Sequence, residues 1–438
     1  MIRTLATALL ALGAAALQEE PAGKLDPILA RLNDDSVEVR DGALKDLVAL
    51  GPAALPLLRA RMDSVPGEVR GRIEEACRRI ESAAALARVL PPLRRITLDA
   101  KDRPLKELLD EIARQGGLAL DLSSGGFEGK LSLTLRDALP LQALDAACRA
   151  STGIQYQILE DEADALAGFR RRRRGAPPAG ARIALQAGTW TDYPACYVRH
   201  YRVRATQVAL NRVNAFDGVQ RTGQLSLDLQ WPPDVKPDRL LRFRVTELKD
   251  DQGRSLLNEG APEEGFRDRI RRGWGVGTQH SLQFKYPEAG ARAIGLLRGE
   301  VSVEFPKDVR VLSFEKPAES KGKSLEVDGL KLALKDYKNE GKNHTVVLDM
   351  TGRIRGADPD PEDHGYPISW EDVEVVGESG ERLSQGGMSG GGGNNQFSWT
   401  LNYNGTRNEP AKEVRIRCIL SRHPDEFTFE IRDIRFPE

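Results

Sequence analysis

The chain has 438 residues, with 64 basic against 65 acidic side chains and a formal net charge of -1. That balance leaves no long-range field to draw it to nucleic acid or an anionic membrane. A hydrophobic share of 40% beside a charged share of 29% excludes a disordered chain, and at roughly 100–200 residues per domain the length predicts about three or four domains.

Residues 1–16 read as a secretory signal peptide. Arg3 precedes an apolar run from Leu5 to Leu12, and Gly13 leads into Ala14-Ala15-Ala16. Gln18-Glu19-Glu20-Pro21 ends the apolar pattern at once. The run is shorter than the ~20 residues that span a bilayer, and no later stretch reaches that length. The expectation is an exported protein, periplasmic or extracellular, with no transmembrane segment. No Cys follows the small residues, which argues against a lipid anchor. The four cysteines are Cys77, Cys148, Cys196 and Cys418, widely spaced and without a Cys-x-x-Cys. An exported chain can carry a disulfide; Cys196 with Cys418 is the most plausible pair, because both lie in β-rich regions.

Residues 22–88 are predicted helical. Leu25–Leu32, Val37–Leu50, Ala54–Met62 and Val69–Ile80 carry apolar residues at spacings of three and four. A repeat shows within them: Glu38-Val39-Arg40 returns as Glu68-Val69-Arg70, and Leu47 and Leu50 return as Cys77 and Ile80. On these residues the segment resembles HEAT repeats, whose paired helices stack and share a buried face. The resemblance implies that Arg40 and Arg70 brace a neighbouring helix or turn. A block this short leaves an open end, so it is expected to lean on another domain or a partner.

Residues 93–160 hold one small motif written twice. Pro104-Leu105-x-x-Leu108 returns as Pro140-Leu141-x-x-Leu144, Ile112 as Cys148, Gly117-Leu118 as Gly153-Ile154, Leu120 as Tyr156 and Leu122 as Ile158. Each copy reads strand, Pro-Leu step, amphipathic helix, strand, so the order is βαββαβ. The residues Ile96–Leu105, Ala143-Leu144 and Thr152-Gly153-Ile154 make this segment resemble the short N-terminal domain shared by secretins and TonB-dependent receptors. That resemblance implies a periplasmic protein-contact module. No outer-membrane barrel or secretin region follows, so transport and secretion are not implied.

Residues 161–181 read as an Arg/Pro/Gly linker, with Arg170–Arg174 followed by Gly175-Ala-Pro-Pro-Ala-Gly180. No aromatic residues interleave the arginines, so a solvated linker is expected and no nucleic acid. Residues 182–438 show short alternating segments broken by turn residues, and they too look duplicated. Leu225-x-Leu227-Asp228 matches Val346-x-Leu348-Asp349, and Val245–Leu256 matches Val373–Leu383. Leu282-x-Phe284 matches Phe397-x-Trp399, and Gly299–Val303 matches Lys412–Ile416. Two copies of this length fit tandem immunoglobulin-like β-sandwiches, 182–316 and 325–438, joined at Lys316–Ser324. The predicted fold class is thus multidomain α+β: a HEAT-like helical block, a small βαββαβ domain, then two tandem β-sandwiches.

Chemistry is sparse. The five histidines, His200, His280, His344, His364 and His423, show no metal-ligand spacing, and no Gly-x-Ser-x-Gly occurs. Asp358, Asp360, Glu362 and Asp363 form a weak calcium candidate, because clustered carboxylates suit a hard cation; prolines interrupt the run and no Glu stands at the twelfth position. Gly386–Asn395 lacks the Lys of a phosphate loop and reads as a mobile hairpin tip. Trp190, Trp231, Trp370 and Trp399 are expected in the core and Trp274 exposed. The expectation is a non-catalytic envelope protein that binds or scaffolds a protein partner through Leu118–Leu122 or Leu131–Leu135, with oligomeric state open. The alternatives are carbohydrate binding on a sandwich face, which needs exposed aromatics, and a hydrolase with an unrecognised cleft of carboxylates.

Overall fold

The computed structural model of the protein describes residues 21–151, 153–159, 182–215, 218–258, 266–269, 277–352, 368, 370–393 and 396–437. The expected signal peptide, the 161–181 linker, Trp274, His364 and the calcium candidate Asp358, Asp360, Glu362 and Asp363 lie outside these residues. The chain divides into two compact units, Met1–Arg88 and Val89–Glu438. Strand dominates over helix. No described helix is long and apolar enough to cross a membrane.

The first unit is helical: α1 (Pro21–Arg31), α2 (Val37–Ala49), α3 (Leu55–Arg61) and α4 (Gly67–Val89). Ser36 caps α2 by accepting from the Val39 amide at 3.3 Å. Leu32, Leu47, Leu58, Ile73 and Ile80 form its core, so the three-and-four spacing is the buried face. Arg40 donates to the carbonyls of Asp34 (2.7 Å) and Asp35 (3.0 Å), and Arg70 donates to that of Met62 (2.9 Å). Each arginine therefore ties down the turn before its own helix.

The second unit opens with β1 (Ile96–Pro104), α5 (Leu105–Gly116), β2 (Leu120–Asp121), β3 (Lys130–Ala138), α6 (Pro140–Ser151) and β4 (Ile154–Leu159). The written-twice motif folds as a symmetric pair. β1 and β3 are antiparallel, each with one irregularity, and each irregularity holds an aspartate with left-handed φ: Asp102 (53°) and Asp137 (52°). The Asp102 amide donates to Ser132 Oγ at 3.0 Å, and the Asp137 amide to Thr97 Oγ1 at 3.3 Å. Lys130 pairs with Asp102 at 3.0 Å, and Arg95 with Asp137 at 3.7 Å. Helices α5 and α6 cover one face of this ribbon, burying Leu105, Leu108, Ile112, Leu141, Leu144 and Cys148.

Here the structure corrects the expected boundary. The module's other sheet is ordered β2-β5-β4, and β5 is Arg182–Ala187, from beyond the linker. β5 runs parallel to β2 and antiparallel to β4. Ile183 and Leu185 enter the module's core, so this strand belongs there and not to the first sandwich.

The remainder is β6 (Ala195–Val198), β7 (Tyr201–Ala215), β8 (Gly218–Gln230), β9 (Arg239–Asp250), β10 (Phe266–Arg269), β11 (Gly277–Lys285), β12 (Ala293–Glu315), β13 (Ser324–Val327), β14 (Leu330–Glu340), β15 (Asn343–Gly352), β16 (Val373–Gly377), β17 (Ser384–Gly393), β18 (Gln396–Asn404) and β19 (Ala411–Arg435). Two outer sheets, β11-β8-β7-β6 and β13-β14-β15-β18-β17, lie against one shared sheet, β10-β9-β12-β19-β16. β12 and β19, 23 and 25 residues long, pair antiparallel along their whole length. Their middle falls where Phe305 faces His423 and Pro306 faces Arg422. The first half of β12 pairs with β9 and the last half of β19; the first half of β19 pairs with β16 and the last half of β12. The two halves thus exchange their final strands, so 316–324 is not a simple joint between tandem domains.

The duplication repeats in detail. The β6–β7 and β13–β14 turns hold Arg199 (φ 51°) and Asp328 (φ 47°). β7 bulges between Ala205 and Gln207, β14 between Leu334 and Asp336. Isolated bridges join Lys249 to Ser255 and Val376 to Arg382. The register also corrects part of the sequence match. Leu248 faces Leu297 while its counterpart Val375 faces Val414, so Val414 corresponds to Leu297 and not to Val301. Leu225 faces Leu282 while Val346 faces Leu401, so Leu282 corresponds to Leu401 and not to Phe397.

Candidate binding site

The densest buried polar cluster joins the βαββαβ module to the first outer sheet. Asp145 lies on α6 beside the apolar positions Leu141, Leu144 and Cys148, and is itself buried. It accepts from Tyr156 (2.5 Å), from Tyr197 and from Arg202 (2.5 Å). Arg202, on β7, is 2% exposed and also donates to the Tyr156 hydroxyl (2.5 Å) and to Gln230. Its guanidinium stands 5.3 Å from the centroid of the Tyr156 ring, and Trp190 stacks on that ring's plane at 5.5 Å. Burial first, then the Asp145 carboxylate, push both tyrosine hydroxyls well above their ordinary range. Burial drives the nearby Cys148 thiol up to about 12, so it is held as an inert thiol.

Beside this cluster, Arg149 grips Asp192 with two bonds of 2.8 and 2.6 Å. Asp192 lines a cleft of about 620 Å³ between Pro194, the β7 bulge at Thr206 and Gln207, and the end of β19 at Asp433 and Arg435. It is an open notch with the charged Asp192, Asp433 and Arg435 among its lining residues.

A second buried carboxylate, Asp425 on β19, takes the Tyr201 hydroxyl at 3.1 Å and the Arg199 guanidinium. Burial raises its pKa, and Arg199, half exposed to water, only partly offsets that. Asp425 thereby ties the β6–β7 turn to the shared sheet. Tyr201 also stacks on Phe427 at 4.6 Å.

The residues singled out from sequence fall as follows. Leu118, Leu120, Leu122, Leu131 and Leu133 pack against the module's core and Leu135 is buried in it, so their side chains are not the exposed ones. The outward face of the β1–β3 ribbon shows Thr97, Asp99 and Lys101 beside Ser132, Thr134 and Arg136. Beyond that ribbon's two strands no third strand is added among the described residues. Trp231 and Trp399 are buried, and Trp190 and Trp370 are half-buried, so no described tryptophan forms an exposed platform. His280 stacks on Phe243 at 4.7 Å, and His344 shares a 2.7 Å hydrogen bond with Tyr337, so these two histidines sit in different outer sheets. Among the described residues no group of three His, Cys, Asp or Glu side chains is arranged to hold a metal. Cys196 and Cys418, the pair that a disulfide would most plausibly have joined, are free thiols; Cys418 is buried and pushed up to about 12. Gly386–Gly393 is part of the strand β17 and pairs along β18, so this part of the expected tip is strand; Asn394 and Asn395 lie outside the described residues.

Sequence reasoning missed Asp145 and Arg202. The available signal was an acid at helical spacing from Leu141 and Cys148, on a face that is otherwise apolar. No family model, no curated protein and no solved structure matches this chain.

Proposed function

We propose that this chain is a non-catalytic, exported cell-envelope protein that binds or scaffolds a protein partner through its βαββαβ module. The observation that carries this reading is the use made of the deepest ionisable groups. Asp145, Arg202 and Asp425 are consumed as fasteners between elements, whereas the β1–β3 ribbon offers a polar face and strand edges to solvent. An unpaired edge gains main-chain hydrogen bonds from an added strand, and exposed side chains beside it select the partner. The N-terminal signal-peptide pattern supports the location, and the resemblance of residues 93–160 to a periplasmic contact module supports the partner class.

The ribbon's inward leucines hold the fold, so the test uses the exposed residues. Lys101→Glu with Arg136→Glu reverses two charges on the outward face without touching the core. Capture from the native envelope fraction is expected to recover a partner with the parent chain and to lose most of it with the variant. Equal recovery by both would remove the ribbon from the account.

A further inference from the structure

β17 forms one side of the sheet ordered β13-β14-β15-β18-β17, and among the described residues no strand lies beyond it. Its ten residues, Ser384–Gly393, include no charged side chain and no proline. Proteins normally protect a free edge with lysines, prolines or a short strand; this one has only a register irregularity between Gln385 and Gly387. A glycine inside a strand costs roughly 0.5–1 kcal/mol relative to alanine, so a run of them needs a reason.

Packing supplies the reason at alternate positions only. A Cβ at Gly390 would stand 2.6 Å from the Trp399 ring, and one at Gly392 would strike the Gln396 carbonyl. At Gly387 and Gly391 a Cβ would meet nothing within 4 Å, and neither residue has left-handed φ. Those two glycines answer to neither packing nor backbone geometry. They leave the strand thin where another backbone can approach closely.

We infer that the free edge of β17 is a strand-addition site, and that its occupant is the same edge of a second copy of this chain, antiparallel across a two-fold axis. The absence of charge selects this occupant. Isologous pairing sets a strand against itself, and an edge carrying charges would oppose like to like at a cost. Ser384–Gly393 opposes none. Met388, 44% exposed at the middle of the strand, lies where such pairing would take it out of water.

Sedimentation velocity over a concentration series tests this on the full chain, beside Gly387→Lys/Gly391→Lys. Both positions have open space for a side chain, and the paired lysines would meet like charges across the two-fold. The expected result is a wild-type dimer that dissociates on dilution and a variant whose dimer Kd is raised at least about tenfold. Amide exchange along β17 reads the same contact without a variant, and is expected to slow as wild-type concentration rises. A wild-type chain that stays monomeric throughout, β17 exchange independent of concentration, or a folded variant that dimerises as well as the parent would each overturn the inference.

Discussion

Arg202 and Asp145 form the one salt bridge in which both side chains are nearly lost to water, at 2% and 6% exposed respectively, among the described pairs. Burying two ions is costly, and only good geometry with further hydrogen bonds offsets it. Tyr156, Tyr197 and Gln230 supply those bonds. Asp145→Asn removes the charge and leaves Arg202 buried without a counter-ion, which is expected to cost about 3–5 kcal/mol in denaturant unfolding. Asp145→Leu with Arg202→Met removes both ions and is expected to regain most of that loss. An Asp145→Asn variant as stable as the parent would show that the pair is not a fastener. Asp425 makes a contribution that changes with pH. Its folded pKa lies above the ordinary 3.8 because burial outweighs Arg199. The folded state then keeps a proton that the unfolded chain has released, so stability falls as pH rises through that window. Asp425→Asn abolishes this slope. Its unfolding midpoint is expected to gain on the parent's as pH rises from about 3.8, and a pH-independent difference would contradict the assignment.

At the scale of elements, much of the chain was readable and some was not, for definable reasons. The helices of the first unit and α5 and α6 follow from three-and-four spacing, since a helix buries one stripe. The duplicated motif of 93–160 was readable because Pro-Leu steps and glycines mark both copies. The place of β5 was not. Ile183 and Leu185 alternate as any half-buried strand does, and alternation says nothing about which sheet a strand joins. The β-strand matches slipped by four residues in the later strands for a related cause. Side chains repeat every second residue, so an even slip keeps the buried face and only hydrogen-bond register exposes it. Glycines opposite aromatic residues were a usable register signal: Gly223 faces Phe284, Gly299 faces Phe429 and Gly390 faces Trp399. In each pair the ring lies where the glycine's Cβ would stand. The site residues were the least readable, because Asp145 and Arg202 are 57 positions apart and meet only through tertiary packing.

At the scale of the molecule, two of its parts are built from a sequence written twice. In the module, the two copies share a ribbon fastened by matching aspartates. In the larger β region, β12 and β19 cross from one half to the other, so each outer sheet packs on a surface that both halves supply. Phe427, Phe429 and Ile431, from the end of the chain, are buried in the first half, and Phe314 is buried in the second. A frame of this kind resists separation of its halves. It also predicts that the halves unfold together.

Native-state hydrogen exchange on Leu348→Ala tests that most directly. Leu348 is fully buried in the second half, and its truncation is expected to cost about 2–5 kcal/mol. The interlocked frame predicts that the slowest amides of β8, in the first half, lose as much protection as those of β15, in the second. Loss confined to β14, β15 and β18, with β8 unchanged, would contradict it and return the region to two independent sandwiches.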